Sequence, residues 1–118
     1  MKTTPERQAA PDASVTVPAP LLPLLPDMLA DAARRSGVAS DRLRLASVEA
    51  VTWRDGSLGC PQPGMLYPPV LIRGWRVRIA LPIGEPPLDY HVSTRGQWLW
   101  CAPGRGVEPL PAGADPSI

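Results

Sequence analysis

The chain has 118 residues, a formal net charge of +1, 17 prolines, 10 glycines, two cysteines and one histidine. Proline and glycine approach a quarter of it, near the level of low-complexity chains, yet 44% of the residues are hydrophobic and four are tryptophan, enough to bury a core. The near-neutral charge excludes a broad basic surface for nucleic acid or an anionic membrane, no apolar run reaches the ~20 residues of a membrane span, and the length suits one domain.

The prolines are unevenly placed. Six (Pro5, Pro11, Pro18, Pro20, Pro23, Pro26) lie in residues 1–26, and four (Pro103, Pro109, Pro111, Pro116) lie in residues 103–118. Proline fixes φ and removes a backbone donor, so these stretches favour extended, solvated chain. Residues 1–20 and 103–118 therefore read as flexible tails around one folded unit over residues 21–102. At about 80 residues such a unit has a thin core, and a covalent staple adds much to it. The start of the chain lacks the apolar stretch of a secretory signal, which reads as cytoplasmic.

In chain order, residues 27–37 carry helix signals. Asp27 suits the N-cap, Asp31 the positive end, Arg34 and Arg35 the negative end, and Gly37 the left-handed C′ position. Leu25, Leu29, Ala32 and Ser36 fall on one stripe, so this helix needs a sheet to lie on. Residues 43–53 read as a strand whose alternation shifts midway, the mark of a bulge. Trp75, Val77, Ile79 and Leu81 alternate with Arg76, Arg78 and Ala80 as the clearest strand. Residues 70–72 precede it in opposite phase, which predicts one long strand with a bulge at Gly74. Leu88, Tyr90 and Val92 alternate with Asp89, His91 and Ser93, and Arg95-Gly96 predicts a tight hairpin into residues 98–101. The expected fold is α+β: one N-terminal helix packed on a small antiparallel sheet of about four strands, between proline-rich flexible tails.

Residues 54–69 fit none of these periods. Asp55-Gly56 and Pro63-Gly64 are turn dipeptides, and Pro61 and Pro63 stiffen the run between them, which lowers the entropy lost on binding. A loop this long in a small domain is functional or else a tied-down link between two strands, and both readings stand here. Its candidate contact residues are Asp55, Ser57, Gln62, Met65, Leu66 and Tyr67.

Trp53, Asp55-Gly56-Ser57-Leu58-Gly59-Cys60-Pro61, Pro63-Gly64, Tyr67, Gly74, Trp75, Tyr90-His91, Gly96 and Cys101 together resemble an uncharacterised family of small bacterial proteins. Its hallmark is a Trp-x-Asp-Gly-Ser-Leu-Gly-Cys-Pro-x-Pro-Gly stretch followed by a Tyr-His pair and a last-strand cysteine. The resemblance covers residues 24–101 and implies the same helix-plus-sheet architecture. It also implies export or lipid anchoring of relatives, and no particular activity. This chain departs from the pattern in its proline-rich flanks and in showing no export signal.

Cys60 and Cys101 are either a structural disulfide, which fits an exported relative, or two buried thiols, which fits the cytoplasm. A bond between them closes a loop of about 42 residues and contributes roughly 4 kcal/mol on chain-entropy grounds. There is no Cys-x-x-Cys motif for redox chemistry. His91 reads as a strand residue on the polar face beside Asp89 and Ser93, rather than as a partner of Cys60 in catalysis. Ser57 does not sit in a Gly-x-Ser-x-Gly elbow, and its hydroxyl suits a loop backbone group better. Trp98 and Trp100 share one strand face, as core or as an aromatic recognition patch. Arg76 and Arg78 can pair with Asp89 or Glu85.

No catalytic residue, metal site or cofactor is expected, so the chain does not read as an enzyme. The leading expectation is a binding or interaction module with an unknown protein or peptide partner, the loop over residues 60–67 forming its contact surface. The alternative is a proteinase inhibitor presenting that loop. Nucleic acid is not an expected partner, no transmembrane segment is expected, and the chain reads as a monomer.

Overall fold

The computed structural model describes residues 15–82 and 84–113. A 3-10 helix, Ala19–Leu24, runs directly into the helix α1, Leu25–Ser36. After a single 3-10 turn, Ser40–Arg42, come the strands β1 (Arg44–Trp53), β2 (Ile72–Ala80), β3 (Leu88–Ser93), β4 (Trp98–Cys101) and β5 (Leu110–Pro111). They form one antiparallel sheet in the order β4-β3-β2-β1-β5. The chain is α+β, one helix on a small antiparallel sheet.

The fifth strand is additional to the four expected. Leu110 and Pro111 pair with Thr52 and Val51 inside the stretch that reads as a tail. A proline is tolerated there because the pairing is two residues long and lies at the sheet edge, where one missing donor costs little. Of the expected N-terminal tail, residues 1–14 lie outside the described residues, as do residues 114–118 at the other end. Val15 and Val17 pack against the core.

Asp27 does not cap α1; it sits in the first turn, where its carboxylate meets the positive end of the helix, and no side chain caps the start. A cap is dispensable because the 3-10 helix supplies acceptors: the Leu25 N–H donates to the Leu21 and Leu22 carbonyls. Gly37 ends the helix as expected, at φ 74°, its N–H donating to Ala33. The buried stripe is displaced from the expected one, with Met28, Asp31 and Ala32 buried and Leu25 and Leu29 half-buried. Asp31 can face inward because it finds partners there. The Tyr90 hydroxyl donates to it at 2.6 Å and Arg35 Nε at 2.7 Å.

Met28, Ala32 and Leu21 close over Leu43, Leu45, Val77, Ile79, Tyr90 and Val92, which form the helix-side core. Each large side chain buried here stabilises by about 1.5–3 kcal/mol. The bulge expected in β1 falls between Leu45 and Ser47, where the register with β2 shifts. Gly74 is not a bulge. It pairs in unbroken register with Val51 on one side and Ser93 on the other. The apparent change of phase at Ile72 has another cause: the second face of the sheet is itself apolar at this end. Val51, Trp53 and Leu58 are buried there with Ile72 and Leu99 packed against them.

Candidate functional site

That second apolar cluster is built around one indole. Trp53 ends β1, and its side chain crosses β2 to reach β3, two strands away. It passes over Gly74, where a Cβ would lie 2.9 Å from the indole nitrogen and would overlap the Val92 carbonyl. Glycine is thus required by close approach, not by backbone freedom. The Trp53 Nε1–H donates to that carbonyl at 2.9 Å, and the ring stacks on His91 with centroids 4.4 Å apart.

His91 is 1% exposed, so the polar face on which it is expected is covered at this position. Its Nδ1 lies 2.6 Å from the Leu58 carbonyl and carries a hydrogen, since a carbonyl only accepts. Its Nε2 faces Asp89 Oδ2 at 3.1 Å, and Arg76 Nε holds the other carboxylate oxygen at 3.2 Å. Burial pushes the Asp89 carboxyl up, but its contacts with His91 and Arg76 outweigh it and hold the group below the ordinary carboxylate value. Of the pairings open to Arg76, the one with Asp89 forms.

The cover is the first half of the loop. Asp55 Oδ1 accepts from the Ser57 N–H at 2.8 Å and from the Ser57 hydroxyl at 2.6 Å, an Asx turn that reverses the chain after Trp53. Leu58 then takes φ 55° and Gly59 φ 73°. A left-handed leucine costs about 1 kcal/mol or more; the hydrogen bond its carbonyl accepts from buried His91 and the burial of the Leu58 side chain offset it. A Cβ on Gly59 would lie 2.7 Å from two atoms of the Trp53 ring. Next in the chain, Cys60 forms a disulfide with Cys101 of β4, their Cα atoms 5.7 Å apart. The Val107 N–H donates to the Gly59 carbonyl, and the Gly56 N–H to the Pro68 carbonyl, so both ends of the loop are tied.

The second half is presented rather than buried. The Gln62 N–H donates to the Tyr67 hydroxyl at 3.0 Å, closing a small ring across the tip. Within and beside that ring, Met65 is 60% exposed, Leu66 95% and Val70 52%. The six candidate contact residues thus divide. Asp55, Ser57 and Tyr67 are used inside the loop, whereas Gln62, Met65 and Leu66 face outward.

Trp98 and Trp100 lie on the helix side, half-buried at the margin of the core. Trp98 meets Tyr90 edge-on at 5.7 Å, and the Arg35 guanidinium covers Trp100 at 4.1 Å. The roles of Gly74 as a crossing point and of Val70 in the tip were missed from sequence. The signal for the first was present, since a glycine inside an alternating strand marks a close approach as well as a bulge. Among the described residues no group of three or more His, Cys, Asp and Glu side chains is placed to hold a metal ion. No helix among them is long and apolar enough to cross a membrane.

Fold and loop frame together define a small α+β domain whose second sheet face is roofed by a disulfide-tied loop. Residues 26–101 match a domain of unknown function (DUF8738), and with more than half of the chain matched the protein belongs to that family. An uncharacterised family is what the resemblance implies. No curated protein and no solved structure matches the chain.

Proposed function

We propose that this protein is a non-catalytic binding module whose contact surface is the loop tip around Met65 and Leu66. The observation that supports it is the division of the loop: residues 55–60 are bonded into the sheet, while Leu66 is held out at 95% exposure. A bare apolar side chain on a stiffened, tied loop loses little entropy on binding and gains its full burial. The two thiols and the imidazole are otherwise engaged. Cys60 and Cys101 are bonded to each other, and both His91 ring nitrogens face oxygen partners. The disulfide fits an oxidising compartment, in keeping with export.

The test is alanine replacement of Gln62, Met65 and Leu66 together. The variant keeps its melting temperature and loses capture of a partner that the parent protein retains; unchanged capture counts against the reading. The inhibitor alternative draws on the Cys60 anchor at the foot of the same loop. It requires that a serine or cysteine protease be slowed at micromolar protein, and a panel without such slowing removes it.

A further inference from the structure

Beside the loop tip, at the same end of the sheet, lies a groove of about 530 Å³. Val70, Leu71 and Ile72 form its apolar part, Thr94 and Gln97 of the β3–β4 turn supply polar groups, and Arg73 and Arg95 complete it. The Thr94 N–H donates to the Arg73 carbonyl at 2.9 Å, which fixes the two sides together. None of the lining residues is acidic.

Arg34 and Arg35 pair with Asp31, Arg76 pairs with Asp89, and Arg54 Nε donates to the Glu108 carbonyl. Arg73 and Arg95 are exposed, and neither is ion-paired with a carboxylate among the described residues. Arg42, Arg44, Arg78 and Arg105 also lack an ion pair among the described residues, but Arg42 and Arg44 share their hollow with Asp41, whereas Arg73 and Arg95 line one groove that holds no acid. Two forked donors with no carboxylate of their own, flanking an apolar wall, are complementary to a carboxylate carried next to an apolar side chain.

Building on the loop-tip reading, we infer that the partner segment is an acidic peptide. One of its carboxylates is held between Arg73 and Arg95, and an adjoining apolar side chain lies on Val70, continuing the surface of Met65 and Leu66. The mixed lining, apolar Val70, Leu71 and Ile72 beside Arg73, Arg95, Thr94 and Gln97, favours a chain segment, whose side chains alternate between charged and apolar, over a bilayer surface of headgroups.

Fluorescence anisotropy with a short labelled peptide alternating Glu and Leu tests this. A Gln/Leu counterpart and vesicles of phosphatidylglycerol in phosphatidylcholine run in parallel. The Glu peptide binds, the Gln peptide does not, and binding weakens with added salt. R73Q and R95Q, both surface changes, each lower the affinity by about tenfold. No binding of the Glu peptide, equal binding of both peptides, or indifference to both substitutions overturns the inference. Vesicle binding lost in R73Q/R95Q, without peptide binding, overturns it too and reassigns the arginines to an anionic lipid surface. The two readings fail separately. If M65A/L66A binds the Glu peptide as the parent does, the tip reading falls and the groove stands; if only the arginine variants are indifferent, the groove falls and the tip stands.

Discussion

The indole of Trp53 lies flat on the imidazole of His91, their planes 21° apart, although the two residues belong to strands separated by a third. This contact joins the loop to the sheet, because His91 also holds the Leu58 carbonyl while Trp53 also fills the space beside Gly59. Three segments distant in sequence, residues 53–59, Gly74 and residues 91–92, meet on two rings.

Removing the indole therefore leaves a large hole under the loop. Trp53→Ala costs about 3–5 kcal/mol in urea unfolding, as for other buried tryptophans. Trp53→Phe costs less but leaves the Val92 carbonyl without its donor, a loss of about 1–3 kcal/mol. A Trp53→Ala protein within 1 kcal/mol of the parent, on the same order as a surface change, contradicts this account.

Two glycines of similar φ separate sterics from backbone freedom. Gly37 and Gly59 have φ 74° and 73°, but a Cβ on Gly37 meets nothing within 4 Å while one on Gly59 strikes Trp53. Gly37→Ala costs about 1 kcal/mol, the backbone strain alone. Gly59→Ala costs several times more, measured by thermal unfolding, since the ring cannot retreat from its stack. Equal costs refute the wedge described for Trp53.

The elements were legible where one face is apolar and the other solvated. Residues 75–81 alternate cleanly because Val77 and Ile79 lie under the helix and Arg76 and Arg78 lie opposite. Legibility failed where both faces are covered. Ile72 and His91 sit on a face that looks polar from Arg76, Arg78 and Asp89, and only the folded loop reveals that its far end is roofed. Asp31 misled for a related reason: a carboxylate marks a solvent face unless a Tyr90 hydroxyl waits inside, and local periodicity carries no information about a residue 59 positions away. The loop was recognisable as special from its prolines and turn dipeptides. Its division into frame and tip was not, because Tyr67 and Leu66 differ only in what they reach.

The pH dependence of stability follows from two carboxylates. Burial pushes Asp31 up, but the Tyr90 hydroxyl and Arg35 outweigh it, and Asp89 is likewise held below the ordinary value of 3.8. Because the folded values are depressed, the unfolded chain takes up protons first on acidification. Their contribution is full above the ordinary value and is lost as pH falls through the folded ones. At the other extreme, burial and Asp31 raise the Tyr90 hydroxyl above its ordinary 10.0, so stability falls as pH rises beyond that value. Melting temperature followed down the acid limb shows the first effect, and D31N/D89N flattens it; an unchanged slope in that variant opposes the assignment.

The Cys60–Cys101 bond closes a long loop in a small domain. Its reduction lowers unfolding free energy by roughly 4 kcal/mol, measured by denaturant titration with and without reductant. Native protein with two alkylatable thiols refutes the bond.

The proposed contact surface requires that the frame beneath the loop hold its tip still. Backbone ¹⁵N relaxation at Gly64, Met65, Leu66 and Tyr67 measures this most directly. A tip held by the frame has order parameters of about 0.85, equal to those of β2 and β3, whereas values below about 0.6 describe a floppy tip and refute the requirement.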